Sequence, residues 1–200
     1  MEFCKFSTMF TAITAVDRAF LPNSFEISVT FTVNEPNPIQ QNVAFQRIKH
    51  FIENELNFAI IATKNTPGLK NFFKLQNKVL TIPNDGLDWG LACTLCLKLN
   101  AICEGRFTVN LVELNSSIGD HVTYYADWDR KEILESVVAD MPAQDDWWTS
   151  PDIAYNRHQK FNIWKDLELE WQLTKDHKSS KVEKIIQFKP KVVKGGRTRQ

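Results

Sequence analysis

"GRFTVNLVELNSS", residues 105–117, is the stretch on which the reading of the fold turns. Phe107, Val109, Leu111 and Glu113 fall at alternate positions, between Thr108, Asn110 and Val112. Alternate side chains of a strand point to one face. The spacing therefore predicts that Glu113 shares the apolar face of Phe107, Val109 and Leu111. A carboxylate is rarely buried unless it is paired. Two readings of the residues stay open: Glu113 ends its strand in water, or it pairs with a neighbouring Lys or Arg.

Upstream, "FEISVTFTV" (25–33) alternates strictly, with Phe25, Ile27, Val29, Phe31 and Val33 on one side and Glu26, Ser28, Thr30 and Thr32 on the other. It predicts a strand with one buried and one polar face. Phe3 to Val16 is rich in β-branched and aromatic residues and predicts a preceding strand. "RAFLPNS" (18–24) is expected to turn the chain at Pro22 and Asn23, giving an antiparallel hairpin. Phe45, Ile48, Phe51, Ile52 and Leu56 have helical spacing, which predicts a helix from about 42 to about 59 capped by Asn42. "KVLTIP" (78–83) is left between strand and loop. Leu87, Leu91, Leu95 and Leu99 predict a second helix, with Asp85 and Asp88 near its positive end. "RFTVNLVEL" and "HVTYYADW" follow as strands around the turn "NSSIGD". The order is strand, strand, helix, helix, strand, strand.

This organisation suits one compact domain over 1–128 and an extension over 129–200. In the extension, "RKEILESVVADM" predicts a short helix ended by Pro142, and "DDWWTSPD" a loop. "FNIWKDLELEWQL" fits helical and strand spacing equally, "KVEKIIQFKPKVV" an edge strand, and "KGGRTRQ" an unstructured tail. Net charge is +0, yet acids crowd 113–152 and bases 175–200. The two segments either screen one another or meet a partner, and the basic tail fits nucleic-acid phosphates. Apolar runs such as Ala59–Ala62 are too short to span a bilayer, and Met1–Phe10 lacks the pattern of a signal peptide, so no membrane partner is expected. Four cysteines in 200 residues do not suggest a disulfide framework, and a cytoplasmic, reducing setting follows.

The order of elements, with a Glu near the end of the third strand and a Tyr-containing fourth, resembles the tunnelling fold (T-fold) of the 6-pyruvoyl- and 6-carboxy-tetrahydropterin synthase family. The resemblance covers roughly residues 6–128. "FTAIT" (10–14) resembles that family's Phe-x-Ala-Ala-His, and "NSFEISVTF" the strand after its His-Gly-His. "VAFQRIKHFI" resembles its Val-x-Asp-Phe-x-x-Leu-Lys segment, and "TIPNDGLDWGLACTLCLKL" its Pro-Thr-x-Glu-Asn-Leu-Ala helix. "VNLVELNSS" resembles Val-x-Val-x-Glu-Thr-x-x-Ser. The resemblance implies an α+β fold with a four-stranded antiparallel sheet (ββααββ) and two helices on one face. It also implies that Glu113 grips the ring N–H and amino group of a purine- or pterin-like ligand, with Asn115, Ser117 and His121 beside it. A carboxylate accepting two parallel hydrogen bonds suits such an edge.

The departures are as informative. The positions matching the family's zinc histidines hold Thr14, Leu21 and Asn23, and those matching its catalytic Asp–His pair hold Asn57 and Phe58. Thr, Leu and Asn do not replace imidazole ligands, and neither Asn57 nor Phe58 is a base. No metal and no cofactor are expected. Cys93 and Cys96 form a C-x-x-C with Cys103 beyond, inside a predicted helix, where Cys packs as a small hydrophobe. His50, His121, His158 and His177 show no ligand spacing. Neither a phosphate-binding glycine loop nor a nucleophile elbow is present. Trp147 and Trp148 suit a subunit contact or base stacking.

The leading expectation is a zinc-less homo-oligomer that binds a purine- or pterin-like molecule without the synthase reaction, since open sheet edges call for partners. A structural or interaction protein working through 129–200 is the second expectation. An enzyme with other chemistry at Glu113, Asp120 or His121 is the third.

Overall fold

The computed structural model describes residues 3–16, 19–74, 78–83, 87–139, 141, 146–154, 163–167, 169 and 171. Its centre is a long hairpin of β1 (Phe3–Val16) and β2 (Ala19–Val33), antiparallel from Phe3↔Thr32 to Val16↔Ala19. The strict alternation dictates it: Phe25, Ile27, Val29 and Phe31 are buried while Ser24 and Glu26 are exposed. The expected turn at Pro22 and Asn23 is instead part of β2. Pro22 is tolerated there because the pairing of β2 with its other neighbour begins only at Phe25.

Helix α1 (Pro38–His50) starts earlier than expected. Asn37, not Asn42, caps it by accepting from the Ile39 N–H at 2.9 Å, and Pro38 opens the first turn. A π turn over Phe51–Glu55 ends the helical run. Strand β3 (Ile60–Thr63) then pairs parallel to β1 at Ile13↔Ile60. Helix α2 (Leu69–Lys74) leads to β4 (Val79–Ile82), parallel to β3. Helix α3 (Leu87–Cys103) precedes β5 (Phe107–Ser116) and β6 (Tyr124–Asp127), an antiparallel pair, and α4 (Lys131–Val138) follows.

The expected four-stranded antiparallel ββααββ sheet is therefore wrong. The sheet has six strands in the order β4-β3-β1-β2-β5-β6 and is mixed. The physical reason lies in β3 and β4. All of Val79–Ile82 and the first three residues of β3 are buried. A strand covered on both faces carries no alternation and reads like the end of a helix.

The core gathers the inward residues of β2 and β5, Ile48, Phe51 and Ile52, and most of α3. Phe10 stacks on Phe25 at 4.8 Å and Phe31 on Phe107 at 4.7 Å. Burying each such ring contributes roughly 1.5–3 kcal/mol. Leu134 of α4, Trp147, Trp148, Ile153 and Trp164 join the same cluster. The proposed edge strand at 181–193 and the basic tail lie outside the described residues. No helix among the described residues is long and apolar enough to cross a membrane.

Candidate functional site

A β-bulge decides the face that Glu113 takes. Thr30 pairs with Leu111 but Phe31 pairs with Val109, so Asn110 is an extra residue in β5, a bulge. One inserted residue reverses the phase of every side chain beyond it. Phe107 and Val109 are buried before the bulge, and Val112, Leu114 and Ser116 after it. Leu111, Glu113 and Asn115 are thereby turned to the opposite, outer face. Glu113 does not share a face with Phe107 and Val109.

On that outer face the strands align polar rows. Ser7, Ser28, Glu113 and Tyr125 form one, and Glu26 and Asn115 the next. Lys5 lies one row away and donates to both Glu113 oxygens, at 3.0 and 2.9 Å. The Lys5 side chain is 51% exposed and that of Glu113 24%. Of the two readings of Glu113 left open by the residues, the pairing with a neighbouring lysine is present. Ser7 and Ser28 hydroxyls meet at 2.7 Å, and Asn115 Nδ2 donates to Glu26 Oε2 at 3.3 Å. The Asn115 Oδ1 is buried without a partner. On this face Met9 is 60% and Tyr125 59% exposed.

The other sequence-predicted residues part company with Glu113. Ser117 donates to Asn23 Oδ1 at 2.9 Å and accepts from the Ser24 N–H at 3.2 Å. His121 is exposed, with a left-handed φ of 57° that follows Asp120 at 51°. Its N–H bonds the Ser116 carbonyl at 3.0 Å, so it closes the turn. No hydrogen bond among the described residues joins Glu113 to Asn115, Ser117 or His121.

Thr14, Leu21 and Asn23, compared above with zinc-binding histidines, are structural here. Leu21 faces Thr14 across the hairpin, and Asn23 Nδ2 donates to Thr14 Oγ1 at 3.3 Å, with both polar groups buried. Asn57 Oδ1 accepts the Thr11 N–H at 2.9 Å. Among the described residues no group of three His, Cys, Asp or Glu side chains is placed to hold a metal ion. Burial pushes the Cys93, Cys96 and Cys103 thiols up to about 12, which suits packing and not nucleophilic chemistry. His158 and His177 lie outside the described residues.

A cavity of about 410 Å³ is walled by Trp89, Leu111, Tyr125, Asp127, Arg130 and Leu134, and Glu113 is not part of its lining. Tyr125 is the cross-strand partner of Glu113, and Leu111 precedes it on the same face. Its size is that of a small-ligand pocket. Sequence reasoning missed Lys5, Tyr125 and Arg130. Lys5, Ser7 and Met9 do alternate with Phe6 and Phe10, and that was the available signal. No family model matches this chain, and no curated protein matches it.

Proposed function

We propose that the protein is a cytoplasmic, homo-oligomeric binder of a flat, purine- or pterin-like heterocycle, held at Glu113 on the outer face of the sheet. The observation that supports the reading is a carboxylate presented on the outer face between Leu111 and Tyr125, two residues that wall a cavity. Both Glu113 oxygens already accept from Lys5 Nζ, where two donors of a ligand edge would stand. Lys5 is half exposed and free to swing into water, so the exchange costs little. The ligand's ring would then lie along Tyr125 and Leu111 toward the cavity, with Arg130 among its walls to meet an anionic substituent. The sheet ends in β4 and β6, and edge strands support assembly between copies. Four free cysteines suit a reducing compartment.

Titration calorimetry of the full chain with guanosine and inosine tests the reading. Inosine lacks the exocyclic amino group that would complete the donor pair. The expected result is guanosine binding that weakens about tenfold or more with inosine and with Glu113→Gln, as for loss of a charge-assisted hydrogen bond. Equal affinity for both nucleosides, no binding of either, or a monomer in sedimentation velocity refutes it.

A further inference from the structure

Lys98 stands out among the ionisable groups of the described residues. It interrupts the apolar run "CTLCLKLNAIC" of α3 between Leu97 and Leu99 and is fully buried. Four backbone carbonyls lie within hydrogen-bond reach of its Nζ and share its three N–H donors: Trp147 and Ser150 at 3.0 Å, Asp152 at 2.7 Å and Ala154 at 2.8 Å. The rings of Phe51 and Trp147 stand 5.6 and 6.0 Å away. All four acceptors come from one short stretch, residues 147–154, curled around a single ammonium. Lysine usually reaches for water or a carboxylate. Here it takes the place that a bound cation has in a carbonyl cage.

The same stretch is anchored by apolar groups as well. Trp147, Trp148 and Ile153 are buried, and Trp147 Nε1 donates to the Thr81 carbonyl at 2.9 Å. Trp148 and Thr149 also form part of a second cavity, about 400 Å³, with Leu97, Phe107, Trp128 and Lys131. A stretch docked by its tryptophans alone would leave four carbonyls turned inward without donors. Each orphaned buried carbonyl is destabilising.

We infer that residues 146–154 form a strap fastened over α3 by Lys98, and that the lysine, not the apolar anchors, decides whether the strap is docked and the second cavity walled. The strap opens as a unit while the sheet and α3 stay folded. Removing the ammonium leaves a cage that an added alkylammonium ion can refill.

Hydrogen exchange read by mass spectrometry on the full chain at pH 6 tests this with wild type, Lys98→Met and Lys98→Ala. In the wild type, amides of 146–154 are expected to exchange at least about tenfold faster than those of α3, as a separate opening. Lys98→Met keeps the apolar stem and is expected to abolish strap protection with β1, β2 and α3 unchanged. Lys98→Ala is expected to lose it too, and n-butylammonium, but not n-butanol, to restore it. The inference is overturned by a protected strap in Lys98→Met, by equal rescue with the alcohol, by no rescue with the ammonium, or by loss of protection throughout the chain.

Discussion

Gly119→Ala probes the tightest contact behind the site. Ser116, the last residue of β5, donates to the buried Asp88 carboxylate at 2.6 Å, and the Gly119 N–H donates to the same Ser116 hydroxyl at 3.1 Å. A Cβ at 119 would overlap Asp88 Oδ2 and crowd the Ser116 hydroxyl at 3.2 Å. Asp88 lies in the first turn of α3 and is 5% exposed, so its carboxylate has little room to retreat. Relief requires breaking the Ser116–Asp88 bond, roughly 1.5–3 kcal/mol for a hydrogen bond to a charged group. The alternative is to shift packed backbone, typically about 1–3 kcal/mol. The expected loss is about 2 kcal/mol, read from urea unfolding followed by circular dichroism. Asp88→Ala alone removes the obstacle but also the Ser116 hydrogen bond, so it should itself cost roughly 1–3 kcal/mol, offset in part by loss of the partnerless Oδ1. The double variant should match Asp88→Ala, a coupling of about 2 kcal/mol. A Gly119→Ala protein as stable as wild type, or additive effects in the double variant, refutes the packing argument. The pH dependence gives a second reading. Burial raises the Asp88 carboxyl above its ordinary value, with the Ser116 hydrogen bond opposing. The folded state therefore holds a proton that the unfolded chain has released, and the Asp88 contribution falls as pH rises through that interval. Asp88→Ala should remove this slope.

Three further outcomes follow from other contacts. Burial lowers the Lys98 ammonium from 10.5 to about 7, with Asp152 opposing. Between those values the unfolded chain binds a proton that the folded one does not, so stability should rise with pH there, by up to about 1.4 kcal/mol per unit, and stay flat below. The difference between wild type and Lys98→Met in urea titrations at several pH values checks it, and a fall over that range contradicts it. The Lys5–Glu113 pair is half exposed on the lysine side, so a double-variant cycle of Lys5→Ala and Glu113→Gln should show coupling below about 1 kcal/mol in thermal unfolding. Trp147→Phe keeps the ring but deletes the Nε1 donor to the Thr81 carbonyl of β4. It should cost about 1–3 kcal/mol and speed hydrogen exchange in 79–82, whereas unchanged exchange there contradicts the contact.

Much of the framework was legible because its residues carry local periodicity. The β1–β2 hairpin, α3, the β5–β6 pair and α4 each announce themselves by alternation or by spacing of three and four. The C-x-x-C of α3 likewise packs as a buried hydrophobe, as its helical setting suggested. The mixed six-stranded sheet was not legible. Strands β3 and β4 are buried on both faces, and parallel pairing joins segments that no local pattern connects.

The sequence by itself determined which segments alternate and so which strands have a polar side. Only the tertiary structure decided which side Glu113 takes. The bulge at Asn110 exists because β2 and β5 must both bury their aromatic and branched residues, and one extra residue lets each do so. The adjacent Leu111 and Val112 were its single local trace. Lys98 is the same lesson in a helix. A lone charge in an apolar run marks a buried donor, but its acceptors come from 147–154, folded back across the chain. Backbone carbonyls are identical in every sequence, so only their convergence in space makes a cage.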